Sequence, residues 1–296
     1  MSRADVTARR PGRTRTRLAA ELGLFRSELG LTFRRLRTLV LLGVLAAVPV
    51  LIGVAVEIET GDGSSGGSPG DGGGPAFMAQ ISNNGLFLVF TALAATLPFF
   101  LPLTVGVVAG DAVAGEASAG TLRYLLVAPA GRTRLLLVKY ASTLVFCLVA
   151  TLTVAVSGLV TGALLFPAGE LTTISGTRIG YGEGLWRALL IALVVAASLA
   201  GFAALGLFVS TLTNSGIAAM AGTVGLLVTV QILTTIPQLD AVHPYLFSHH
   251  WLSFADLMRE PVLWDNLYAN LRLQGFYALV FGSAAWARFA GKDISA

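Results

Sequence analysis

Six stretches of this chain are apolar and approach the length needed to cross a lipid bilayer: Leu39–Val56, Leu86–Ala109, Val138–Phe166, Ala188–Val209, Ile217–Ile236 and Gly275–Ala287. Apart from Lys139, at the edge of the third, none contains Asp, Glu, Lys or Arg. A spanning helix needs roughly 20 predominantly apolar residues to cross about 30 Å of hydrocarbon. Only 12% of the residues are charged, against about 25% in an ordinary soluble domain, and the mean hydropathy is +0.76. So apolar a surface must face lipid. The expected fold is an all-α integral membrane protein, with six transmembrane helices in residues 38–296.

The sixth stretch is the shortest and reaches spanning length if Arg272 and Arg288 snorkel to the headgroups. The third exceeds what a bilayer requires, so it tilts or projects into water. Pro49, Pro98 and Pro102 lie inside spans and are expected to kink them. Gly201, Gly206, Gly222 and Gly225 suit close helix packing.

Orientation follows from the basic residues. With the N-terminus inside, segments 1–38, 110–139, 210–216 and 288–296 are cytoplasmic and hold 16 of the 20 Lys and Arg residues. Only Arg178, Arg187, Arg259 and Arg272 remain outside. The positive-inside rule selects this arrangement, with both termini in the cytoplasm of a cell-membrane protein. Topology and anionic headgroups therefore account for the pI near 9.6, and nucleic acid is not an expected partner. The N-terminal basic region is long, and no small-residue cleavage site follows the first span, so no cleaved signal peptide is expected.

Residues 1–17 read as a disordered basic tail. Over 18–37, Leu18, Leu22, Phe25, Leu29, Phe33 and Leu36 recur at helical spacing opposite Glu21, Arg26, Glu28, Arg34, Arg35 and Arg37. This is an amphipathic helix suited to the inner headgroup layer, or to a protein partner. The Gly-rich stretch 61–75 is an outer loop without a fold of its own. The outer loop 237–274 interleaves Trp251, Phe254, Leu257, Trp264 and Tyr268 with charges. It reads as one or two short amphipathic helices broken at Pro261 and resting on the outer interface.

Catalytic chemistry is hard to assemble from these residues. His243, His249 and His250 are the only histidines, and the adjacent pair gives at most two metal ligands. The lone Cys147 has no partner for an internal disulfide. There is no Gly-x-Ser-x-Gly, no His-Glu-x-x-His and no P-loop, so the chain is not expected to be an enzyme or to bind a cofactor itself. The spans also lack the buried ionisable groups that ion-coupled transporters use. Energy for any transport would then come from another subunit.

Segment 110–139 is the most informative. Asp111 can cap a short helix and Gly120 can end it. Leu122, Leu125 and Leu126 form an apolar stripe with Arg123 on another face. Pro129 and Gly131 break the chain before Arg132, Arg134 and Lys139. Spacing alone allows either a partner-binding helix or a plain connector.

The run Glu116-x-x-x-Gly120-Thr121-Leu122-Arg123-x-Leu125-Leu126-x-x-Pro129-x-x-Arg132-x-x-Leu135-Leu136-x-x-Lys139 resembles the first cytoplasmic loop of type-2 ABC exporter permeases. Weaker echoes follow in order, in Leu205-Gly206-Leu207-x-x-Ser210-x-x-x-Asn214 and in Phe289-x-x-Lys292-Asp293-Ile294. The resemblance implies a permease whose cytoplasmic coupling helix lies between spans two and three. Glu116, Gly120, Thr121, Leu122, Arg123, Leu125, Leu126 and Pro129 would form the ATPase-docking segment, and Arg132 and Lys139 would hold it at the membrane. The implied partners are separate P-loop ATPase subunits carrying ATP and Mg²⁺, and a second permease copy or a related permease. A secondary transporter or channel, and a non-transporting anchor or sensor subunit, are the alternative readings.

Overall fold

A computed structural model describes residues 13–61, 76–120, 131–169, 171–173 and 175–291. Among these the chain is helical almost throughout. Helix α1 (Arg13–Arg34) precedes α2 (Leu36–Gly61), α3 (Ala76–Asn83), α4 (Phe87–Thr96), α5 (Phe100–Ser118) and α6 (Arg132–Leu165). A two-residue hairpin, Leu171–Thr172 with Arg178–Ile179, turns through Gly176 at φ +82°. Then come α7 (Tyr181–Ser198), α8 (Ala200–Leu212), α9 (Gly216–Leu233) and α10 (Asp265–Ala290). Five helical stretches are long and apolar enough to cross a membrane: Leu36–Thr60, Phe100–Ser118, Arg132–Leu165, Tyr181–Leu212 and Gly216–Leu233. The chain has the build of an all-α membrane protein.

Helix breaks follow local chemistry. Proline lacks an N–H and crowds the preceding turn. Accordingly Pro98 separates α4 from α5, and its carbonyl accepts a hydrogen bond from Gln231 Nε2 on α9. Pro49 and Pro102 do not interrupt their helices. Pro102 falls in the first turn of α5, where a missing N–H costs nothing. At Leu199 the fourth apolar stretch bends between α7 and α8. The Ser198 carbonyl accepts from Trp251 Nε1 at 2.9 Å, and Ser198 Oγ accepts from Asn270 Nδ2 at 2.6 Å.

Helices α5 and α7–α8 form the interior, and α2 and α9 lie at the margins. Leu51 and Ile58 on α2, and Ile217 and Ile232 on α9, are exposed, as lipid-facing side chains of a membrane protein would be. Small residues bring the inner helices together. A Cβ on Gly206 would meet Ala109 Cβ at 2.8 Å, and one on Gly201 would meet Tyr277 Cβ at 2.8 Å. Gly85 and Gly162 lie against each other's backbone, so a methyl on either would drive into the other's carbonyl. Gly222 makes only ordinary contact with Val209, and a Cβ at Gly225 would meet nothing.

Two expectations change. The helix α1 starts at Arg13 and so takes in residues assigned to the disordered tail 1–17. Residues 1–12 of that tail, and 62–75 of the Gly-rich loop, lie outside the described residues. In the loop 237–274 the helical turns are 3₁₀, at Pro237–Leu239, His243–Tyr245 and Trp251–Met258. Trp251, Phe254, Leu257 and Met258 are buried there, packed against the core rather than resting on an interface. Phe202, Phe247 and Trp251 make a ring cluster, with Phe202–Phe247 centroids 5.1 Å apart. Arg187 on α7 holds this segment by donating to the carbonyls of Leu257 at 3.2 Å and Arg259 at 3.3 Å. It also pairs with Glu183 at 2.7 Å and with Glu260.

Candidate functional site

The end of the bundle that carries the α5–α6 connection also carries a buried ionic cluster. The first polar stripe belongs to α1, where Glu28 and Thr32 are one turn apart and share a face. Opposite them on α6 stand Lys139 and Ser142, again one turn apart. Lys139 Nζ is 3.3 Å from Glu28 Oε2 and 2.6 Å from Glu116 Oε1 at the end of α5. All three side chains are at least nine-tenths buried. Thr32 Oγ1 and Ser142 Oγ share a hydrogen bond at 3.2 Å, and the rings of Phe33 and Phe146 lie 6.1 Å apart.

A second group adjoins the first. Asp111 accepts from the guanidinium groups of Arg35 and Arg37, which flank the start of α2. The carboxylate fits because Gly115 and Gly216 leave it room; a Cβ on Gly216 would stand 2.6 Å from Asp111 Oδ1. Among the described residues three carboxylates (Glu28, Asp111, Glu116) thus face three cations (Arg35, Arg37, Lys139), and the charges balance. Buried charges need this matching, since an unpaired one is strongly destabilising. A cavity of about 30 Å³ lies among Thr32, Asp111, Lys139 and Ser142. That is room for one water.

Neighbouring contacts tie the connection to the rest of the bundle. Ser210 on α8 accepts from the backbone N–H of Val113 at 3.0 Å and of Ala114 at 2.9 Å. Arg132 donates to the carbonyl of Ala290 at 2.7 Å, and Trp286 Nε1 donates to Thr133 Oγ1 at 2.8 Å. Leu135, Leu136, Val113, Leu207, Ala285 and Phe289 close an apolar cluster beneath. The base of the α5–α6 connection therefore touches α1, α8 and α10 as well as its own two helices.

Glu116 and Lys139 are brought together by the fold, though not on an exposed docking surface. Their charges point into the protein, because each supplies the other's counter-ion. Gly120, at φ +68°, ends the α5 segment, as a helix terminator in the left-handed region should. Arg132 opens α6. Thr121, Leu122, Arg123, Leu125, Leu126 and Pro129 lie outside the described residues, as do Lys292, Asp293 and Ile294. Glu28, Asp111, Arg35 and Arg37 are members of the cluster that sequence reasoning missed. Glu28 counted as part of the polar face of α1, and Asp111 as a helix cap. The available signal was Lys139, a lone charge at the edge of an apolar span, which calls for a nearby carboxylate.

At the other end of the bundle His249 and His250 pack edge to face, with centroids 4.6 Å apart. Burial, and then the neighbouring His249, hold the pKa of His250 below its ordinary value. Among the described residues no three His, Cys, Asp or Glu side chains converge as a metal site would require.

No curated protein matches the sequence. A family model described as a protein of unknown function (DUF2705) matches residues 71–295, from before α3 through the end of α10. That span includes Asp111, Glu116 and Lys139, while α1 and α2 precede it. With well over half its length matched, the chain belongs to the DUF2705 family of proteins of unknown function.

Proposed function

We propose that this chain is the membrane-spanning permease subunit of an ATP-driven ABC transporter, working as an exporter in the cell membrane. In this reading α10 is the sixth span, and both termini are cytoplasmic. The observation that carries it is the Glu116–Lys139 run, closed at its base by the 2.6 Å ion pair between its first and last residues. A push on the segment between them would reach α5 and α6 together. The contacts of Arg132 and Thr133 would pass it on to α10.

Thr121, Leu122, Arg123, Leu125 and Leu126 are then the groups that meet the ATPase. Glu116 and Lys139 act beneath them as positioning residues. The chain has no P-loop, so ATP and Mg²⁺ belong to the partner subunit, and a second permease copy or a related one completes the path. Simultaneous replacement of Leu122, Arg123 and Leu125 by alanine should abolish the copurification with a P-loop ATPase that this reading expects of the native chain, while membrane insertion stays normal. Undiminished association and transport would sink the reading.

One observation favours an ion-coupled transporter instead. Helix α5 extends beyond the expected span and carries buried Asp111 and Glu116. Both are matched by cations here, which suits a structural role better than an ion relay. Purified chain that moves solute with no ATPase present would decide for this second reading.

A further inference from the structure

Glu28 precedes every apolar helix, yet its carboxylate lies against the same ammonium that closes the base of the α5–α6 connection. A helix that only rested on headgroups would leave this carboxylate in water, because burying it is costly unless it is paired. Instead α1 presents Glu28, Thr32 and Phe33 to Lys139, Ser142 and Phe146 on α6. The ammonium is shared unequally, 2.6 Å from Glu116 and 3.3 and 3.4 Å from the two oxygens of Glu28.

We propose that α1 is a moving part of the coupling path, clamped over α6 by Lys139, and that Lys139 can pass from Glu116 to Glu28. Two carboxylates on one cation make this exchange possible. When the end of α5 is displaced, Glu116 can leave while Lys139 keeps a counter-ion, so neither arrangement strands the ammonium. The shift tightens the hold of α6 on α1 as it loosens the hold on α5. Arg35 and Arg37, at the junction of α1 with α2 and bound to Asp111, carry the change to the first long apolar helix. This inference rests on the permease reading, which gives the displacement its source.

Labelling and cross-linking test it separately from that reading. In a Cys147→Ala background, Ser142→Cys supplies a single thiol, at a position buried beneath α1. Glu28→Gln should speed its reaction with a soluble maleimide several-fold, because the clamp is weakened. Glu116→Gln should slow it, because Lys139 then belongs to Glu28 alone. General loosening of the fold would speed both, and that result, or equal rates in all backgrounds, overturns the clamp. Next, Thr32→Cys with Ser142→Cys fixes α1 to α6 on oxidation. ATP turnover by the complex with its ATPase should fall several-fold while the ATPase stays bound, and reductant should restore it. Turnover unchanged within twofold would overturn the claim that α1 moves. If no ATPase associates with the native chain, the permease reading falls and the inference of a moving α1 falls with it, whereas the labelling rates still decide the clamp.

Discussion

Removing the ammonium of Lys139 would leave the Glu28 and Glu116 carboxylates buried with no cation between them. Lys139→Met should therefore cost about 3–5 kcal/mol of stability, the range for breaking a buried pair from one side. A triple variant, Glu28→Gln with Glu116→Gln and Lys139→Met, should recover most of that loss, since no charge is stranded. Unfolding midpoints in one detergent compare the two. His250 gives a pH dependence at the other end of the molecule. Its folded-state pKa lies below the unfolded value of about 6.5, so the unfolded chain binds the proton more readily. The stability that neutral His250 contributes is complete above that value and is lost as the pH falls through it. Thermal unfolding between pH 7.5 and 5 should show this fall, and His250→Gln should flatten it. Glycines separate in the same way. Gly225→Ala should stabilise by about 0.5–1 kcal/mol, because a helical alanine replaces a glycine with nothing in the way. Gly85→Ala should destabilise, since its methyl meets the Gly162 carbonyl. Melting temperatures should move in opposite directions.

Among elements, α5 shows what could be read in the sequence and what could not. Its apolar run led to one span kinked at Pro98, and the structure goes further, with a break there between α4 and α5. The composition did not reveal that this helix continues to Ser118 with two buried carboxylates. The partners that make their burial tolerable come from elsewhere: Lys139 meets Glu28 from 111 positions away, and Arg37 meets Asp111 from 74. Helical periodicity put Glu28 on the charged face of α1 for the same reason. It reports alternation along one segment and is blind to a counter-ion on another. The sixth apolar run was underestimated for a related cause. The run was bounded at Gly275 by its apolar residues, yet α10 starts at Asp265, and Asn270 and Gln274 turn inward to Ser198 and Phe247. The loop 237–274 was legible as helical, but Trp251 and Phe254 looked interfacial when they are core, whereas Trp264 and Tyr268 are exposed. At the α5–α8 contact, Ser210→Ala would remove the acceptor facing two buried N–H groups. That should cost about 1–3 kcal/mol, readable as a lower unfolding midpoint and faster hydrogen exchange at Val113 and Ala114.

For the whole molecule, the deciding quantity is the number of crossings. Helix α10 is 26 residues long, about 39 Å at 1.5 Å per residue, and so has the length to traverse the hydrocarbon. If it does, fusions at either terminus should behave alike, with a fluorescent reporter active and an export-dependent phosphatase silent at both. A phosphatase active only at the C-terminus would leave five crossings and place α10 on the far surface. The bend at Leu199 bears on how such a chain is made. Its Ser198 carbonyl finds its donor in Trp251, 53 residues later, and its hydroxyl finds Asn270, 72 residues later. At about 5–20 residues per second of synthesis, the first donor emerges roughly 3–10 s after the bend. The ribosome therefore delivers the fourth apolar stretch before its bend can be completed, and the 3₁₀ turns and α10 finish it later, making that bend among the last features of the fold to mature.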